Sequence, residues 1–159
     1  GFMVGAPHQT NSSLAADLKF VEQFRPAMCG IGPFIPHTAT PFAGFPAGTL
    51  EVTLFLLSLL RLMDPGLLLP ATTALGTINP TGREQGILAG ANVVMPNLSP
   101  VSVRKKYELY NNKICTGEES GKCKSWLNRK KESIGYKIVT KKKNKKPFYI
   151  QSNKEGSND

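Results

Sequence analysis

The sequence predicts an α/β fold built around parallel strands, and three observations lead there. Short apolar runs alternate four times with longer stretches of helical character, the order expected of strand–helix units in a parallel sheet. Each apolar run is closed by a nearby proline, which cannot donate to a ladder and so marks where pairing stops. The chain has 159 residues, 40% of them hydrophobic, enough for one ordinary domain with its own core. Four such units make either a small open sheet or half of an eight-stranded (β/α) barrel, whose usual length of ~250 residues exceeds this chain. In both architectures the loops beyond the C-terminal strand ends carry function. Those loops are Ala6–Asn11, Gly32–Pro46, Ala71–Gly82 and Pro96–Val101.

The elements follow in order. Phe2 to Gly5 is strand text ended by Ala6-Pro7, and it reads as a strand cut from a longer chain, apolar and without an initiator methionine. Thr10, Asn11 or Ser12 can cap a helix from about Ser13 to Phe24, with Leu14, Leu18, Val21 and Phe24 at helical spacing before Pro26. Met28 to Ile31 is the second strand, and the Pro-rich stretch Pro33–Pro46 is a loop. Thr49 to Met63 is a buried helix: Glu51, Arg61 and the closing Asp64-Pro65 leave it short of the ~20 apolar residues a bilayer requires. Leu67–Leu69 and Val93–Met95 are the third and fourth strands, with a short helix around Arg83–Leu88 between them. Helical segments near Val103–Tyr110 and Lys124–Ile134 and a strand at Tyr136–Val139 complete the expected order.

Charge divides the chain. Residues 1–100 carry Lys19, Arg25, Arg61 and Arg83 against five acidic side chains, a net of −1, whereas residues 101–159 carry a net of +10. A neutral globular body with a basic tail follows. The run Lys141–Lys146 has little aromatic interleaving and no nucleic-acid signature before it, so it reads as a solvated tail. Three cysteines (Cys29, Cys115, Cys123) do not make a disulfide framework, and no secretory leader precedes the first strand. A reducing cytoplasm is the expected setting. No Ser–His–Asp arrangement, Walker loop or zinc spacing is present.

The loops at the strand ends carry a family resemblance. The text Met3-Val4-Gly5-Ala6-Pro7-His8-Gln9-Thr10, then Gly30-Ile31-Gly32-Pro33-Phe34-Ile35-Pro36-His37, resembles successive strand ends in the radical S-adenosylmethionine (SAM) maturases of FeFe-hydrogenase. So do Leu69-Pro70-Ala71-Thr72-Thr73-Ala74-Leu75-Gly76-Thr77-Ile78, Gly90-Ala91-Asn92-Val93-Val94-Met95-Pro96-Asn97 and Lys113-Ile114-Cys115, in order and spacing. These maturases belong to the biotin synthase-like radical SAM family. The resemblance covers roughly residues 1–138. It implies the last four strand–helix units of a (β/α)8 TIM-type barrel plus a C-terminal cap (the biotin/thiamin-synthesis-associated region); residues 139–159 are read from their charge as a basic, disordered tail.

The resemblance also implies cofactors, partners and site residues. The family uses SAM and a 4Fe-4S cluster held by a CxxxCxxC loop, which this sequence does not contain, so the chain alone is expected to be inactive. Cys115 and Cys123 match the first two of three auxiliary-cluster cysteines, and Trp126 stands at the third. Met3, Gly5, Met28 and Ile31 correspond to positions beside SAM. Thr72, Thr73, Thr77, Met95, Tyr107 and Tyr110 correspond to the lining of the substrate chamber. The implied substrate is a small organometallic or cysteine-derived precursor of the hydrogenase diiron cofactor (the H-cluster), the implied partners are other hydrogenase maturases, and neither nucleic acid nor membrane is involved. His8 stands where relatives usually carry glycine. His37 keeps its place in the Pro36-His37 loop with no readable role. Biotin synthase shares Arg83-Glu84 and Gly90-Ala91-Asn92 but places an arginine on its seventh strand, where this chain reads Leu67-Leu68-Leu69-Pro70-Ala71-Thr72-Thr73. Sulfur insertion is thus the alternative chemistry, and a non-catalytic barrel remnant the alternative of another class.

Overall fold

Strand β1 (Phe2–Val4) pairs in parallel with β2 (Ile31–Pro33), Phe2 opposite Ile31 and Val4 opposite Pro33. The computed structural model describes residues 1–96, 100–104, 109–114, 132–139 and 149–152. Parallel order continues through two isolated bridges, Met28 with Leu68 and Pro70 with Val93. The four apolar runs therefore lie side by side in chain order, in a mixed α/β fold. The second run is divided in its pairing: Met28 meets the third run, and Ile31–Pro33 meets the first. That places β2 later than the expected Met28–Ile31.

The third and fourth runs bridge instead of forming long ladders. Proline 70 offers no N–H to a ladder. The side chain of Asn92 supplies part of the link in its stead. Its Oδ1 accepts from the Leu69 N–H at 2.8 Å and its Nδ2 donates to the Leu67 carbonyl at 3.3 Å.

Helix α1 (Asn11–Phe24) begins where Thr10 closes a capping box, its hydroxyl accepting from the Ser13 N–H at 3.2 Å. It ends at Arg25, in the left-handed region at φ 49°, immediately before Pro26. Helix α2 (Leu50–Met63) is capped by Thr49, with Glu51 in its first turn and Arg61 in its last, both matched to the helix dipole. Arg61 also donates to the carbonyls of Gly90 and Pro65, tying the helix end to the loop before the fourth run.

Helix α3 (Thr73–Ile78) falls in a stretch the sequence reads as loop, and α4 (Gly82–Leu88) matches the expected short helix. Helix α5 (Val101–Arg104) meets the start of the expected Val103–Tyr110 segment. Residues 105–108 of that segment, and residues 124–131 of the expected Lys124–Ile134, lie outside the described residues. Strand β3 (Tyr136–Val139) pairs antiparallel with β4 (Tyr149–Ser152), Tyr136 opposite Ser152. The sequence reading of residues 139–159 as a tail placed no element there.

The core joins one side of the parallel segments to the helices. Val4, Ile31 and Leu69 meet Val21 of α1, Leu56, Leu57 and Leu60 of α2, Leu75 of α3 and Ile87 of α4. Burial of such side chains stabilises the fold by roughly 1.5–3 kcal/mol each. Arg83, 2% exposed, donates from its guanidinium to the Met95 carbonyl at 3.3 Å and so fastens α4 to the end of the fourth run. Among the described residues no helix is long and apolar enough to cross a membrane.

Cys29 belongs to this core and is 0% exposed; burial pushes its thiol pKa up. It should stay unlabelled by iodoacetamide in the native protein at pH 8 and become labelled in urea, as read by peptide mass mapping. Native labelling at the unfolded rate would contradict the packing described.

Candidate functional site

The Pro-rich loop after β2 folds back over the end of the strand pair. The Phe34 N–H donates to the Val4 carbonyl and the Gly48 N–H to the Phe34 carbonyl, each at 2.8 Å. Edge-on ring contacts link Phe34 to Phe42, Phe42 to Phe45 and Phe45 to His8. His8 itself sits at φ 63°, a left-handed conformation in which glycine is the least strained residue.

Under that loop lies a cavity of about 520 Å³, within the size range of small-ligand sites. Met3 of β1, Ile31 and Gly32 of β2, Thr72 and Thr73 at the start of α3, and Tyr110 line it. Phe34, His37 and Phe42 from the Pro-rich loop and Leu109 complete much of the wall. No Asp, Glu, Lys or Arg side chain is among its described lining residues.

Thr72 is the informative member. It occupies the N-cap position of α3, where a threonine hydroxyl ordinarily accepts a backbone N–H. Its Oγ1 makes no such bond, and it is buried without a hydrogen-bond partner. Gly32 leaves the space it occupies, since a Cβ at that position would lie 2.7 Å from Oγ1. An unsatisfied buried hydroxyl costs about 1–3 kcal/mol, and at a cavity wall a ligand acceptor or donor removes that cost.

Of the residues expected beside SAM, the structure brings Met3 and Ile31 to the cavity. Gly5 is turned to another task. Its N–H donates to Gln9 Oε1 at 2.7 Å, and Gln9 Nε2 donates to the Met3 carbonyl at 2.9 Å. Met28 is half-buried at its bridge to Leu68 and does not line the cavity. Of the residues expected at the substrate chamber, Thr72, Thr73 and Tyr110 meet at the cavity. Thr77 lies inside α3, its hydroxyl donating to the Thr73 carbonyl and accepting from the Ile114 N–H. Met95 is 51% exposed, away from the lining. Tyr107, Cys115, Cys123 and Trp126 lie outside the described residues.

Sequence reasoning gave no task to His37, Phe34, Phe42 or Gln9. The first three sit in a loop without periodicity, and Gln9 acts through a side-chain amide that no pattern announces. Among the described residues no three His, Cys, Asp or Glu side chains gather as a metal site. A smaller cleft of about 300 Å³ between the C-terminal ends of α1 and α2, bordered by Glu22, Arg25 and Asp64, has no comparable orphaned group.

Fold and site together define a mixed α/β protein with parallel segments in chain order and a ligand-sized cavity where two of them end. No family model matches the chain. A curated protein does: the "[FeFe] hydrogenase maturase subunit HydE" of Thermotoga maritima is 44% identical over 137 residues, 86% of this chain and 39% of that protein. The chain thus spans about two fifths of the length of its curated relative. Over those residues the chain is similar to a C-terminal stretch of that maturase subunit.

Proposed function

We propose that this chain is the part of a radical SAM maturase that forms one wall of the SAM pocket and much of the substrate chamber, in an enzyme that assembles the FeFe-hydrogenase diiron cofactor. In this reading the four parallel segments are the last four strand–helix units of a (β/α)8 barrel. The observation that carries it is the convergence of Thr72, Thr73 and Tyr110 on one cavity, in a chain 44% identical to HydE. The orphaned Thr72 hydroxyl fits a polar ligand there. Met3 and Ile31 give the same cavity an apolar side suited to an adenosyl group.

When bound, a reduced 4Fe-4S cluster and SAM supply the radical chemistry; the cluster loop is not in this sequence. The residues of this chain bind, orient and exclude water. Threonine and tyrosine hydroxyls hold a small organometallic or cysteine-derived precursor without adding charge, and Phe34 and Phe42 keep water from it. Gly5, Met28, Thr77, Met95 and Tyr107 complete the proposed cofactor and substrate sets. Other hydrogenase maturases are the proposed partners.

The test uses the full-length, iron-reconstituted protein. Thr73→Val and Tyr110→Phe each remove a hydroxyl and nearly keep shape. Each should lower substrate-dependent maturation by about 5- to 150-fold, the equivalent of about 1–3 kcal/mol. SAM cleavage without substrate should persist. Full maturation by both variants, or loss of SAM binding, would refute the chamber assignment.

A further inference from the structure

We infer that His37 is a specificity residue of this cavity, presenting its Nε2–H to a carboxylate on the ligand. The inference rests on the substrate-chamber reading above, and its ground is the ring's own hydrogen bonding. Nδ1 of His37 accepts from the Ala39 N–H at 3.0 Å. A nitrogen that accepts an N–H carries a lone pair and no proton, so the ring's proton is on Nε2, which is a donor. Nε2 has no hydrogen-bond partner among the described residues, and His37 lines the cavity.

The loop that carries the ring is also held in place. The Thr40 hydroxyl and N–H donate to the His37 carbonyl at 2.8 and 3.1 Å. The Thr38 N–H donates to Asn111 Oδ1, and the Asn111 N–H donates to the Pro36 carbonyl, both at 3.4 Å. The loop carrying His37 is thereby joined to the segment carrying Tyr110 on the same cavity. A fixed donor, with no carboxylate, lysine or arginine in the described lining, selects an anionic acceptor over a cationic group. Thr72, Thr73 and Tyr110 line the same cavity, and a carboxylate offers a second oxygen beside the one His37 would hold.

Two substitutions separate the donor from the loop that holds it. His37→Asn keeps an acceptor for the Ala39 N–H and removes the Nε2 donor. His37→Gln places an amide N–H near the Nε2 position and gives up the loop contact. The probes are L-cysteine and L-cysteine methyl ester, which differ at the carboxylate, titrated into full-length protein by ¹⁵N-resolved NMR. The wild type should bind the acid more tightly than the ester by about tenfold, one charge-assisted hydrogen bond. His37→Asn should lose that preference, and His37→Gln should restore part of it. A wild type indifferent to the two probes, or an Asn variant that keeps the preference, would overturn the assignment. SAM cleavage is measured on the same samples and reads the maturase function separately. A protein that discriminates the probes but does not cleave SAM refutes that function and leaves the role of His37 standing.

Discussion

Gly48→Ala is expected to destabilise the protein by about 1–3 kcal/mol, near the upper end of that range. The added methyl would collide with the Val4 carbonyl oxygen and come within 3.0 Å of the Phe34 nitrogen. These two atoms are hydrogen-bonded to each other at 2.8 Å, and neither can swing away as a flexible side chain would. Relief requires moving the end of β1 or the loop that roofs the cavity. Urea unfolding at fixed pH measures the loss. Gly44→Ala, in the same loop with nothing within 4 Å of its Cβ position, should stay within about 0.5 kcal/mol of the wild type. Equal midpoints for the two variants would mean that the loop does not close on β1 as described.

Asn92→Ala should cost about 1–3 kcal/mol. The side chain satisfies the Leu69 N–H and the Leu67 carbonyl together, in a core where Leu67 and Leu69 are both almost fully buried. Truncation leaves a donor and an acceptor without their protein partner. The unfolding midpoint reports the total, and amide exchange at Leu69 reports the mechanism. The Leu69 amide should exchange faster in the variant by more than the global change explains. Unchanged protection there would show that the asparagine does not carry the link between the third and fourth runs.

Much of this fold was legible in the sequence because its signals are local. Thr10 was one of three residues that could cap α1, and Pro26 and Asp64-Pro65 closed the two long helices. The order of the four apolar runs survived as parallel neighbours. What could not be read is register. An apolar run does not say which of its residues meets the strand to its left and which the one to its right, and Met28–Pro33 does both. Helix α3 was missed because Thr73, Gly76 and Thr77 are poor helix formers, and it persists through the packing of Leu75. Strand β4 was hidden beside a lysine run whose charge outweighed the β-forming Tyr149-Ile150.

At the cavity, Met3, Ile31, Thr72, Thr73 and Tyr110 were named through resemblance, and they line one cavity. His37 had the right neighbours in sequence but no partner pattern, and only the Ala39 hydrogen bond reveals which of its nitrogens is a donor.

The amide of Gln9 has a consequence for whatever lies along the free side of β1. Phe2 and Val4 spend their groups on the β2 side, through the Gly30 carbonyl and the Phe34 N–H. The Met3 carbonyl and the Gly5 N–H point the other way, and Gln9 holds both. The glutamine thus behaves as one peptide unit of a neighbour that never continues. A strand laid along this side finds those two positions taken and must end short of them, set back toward the start of β1. One side chain, placed six residues beyond the carbonyl it binds, thus sets where pairing along that side can begin.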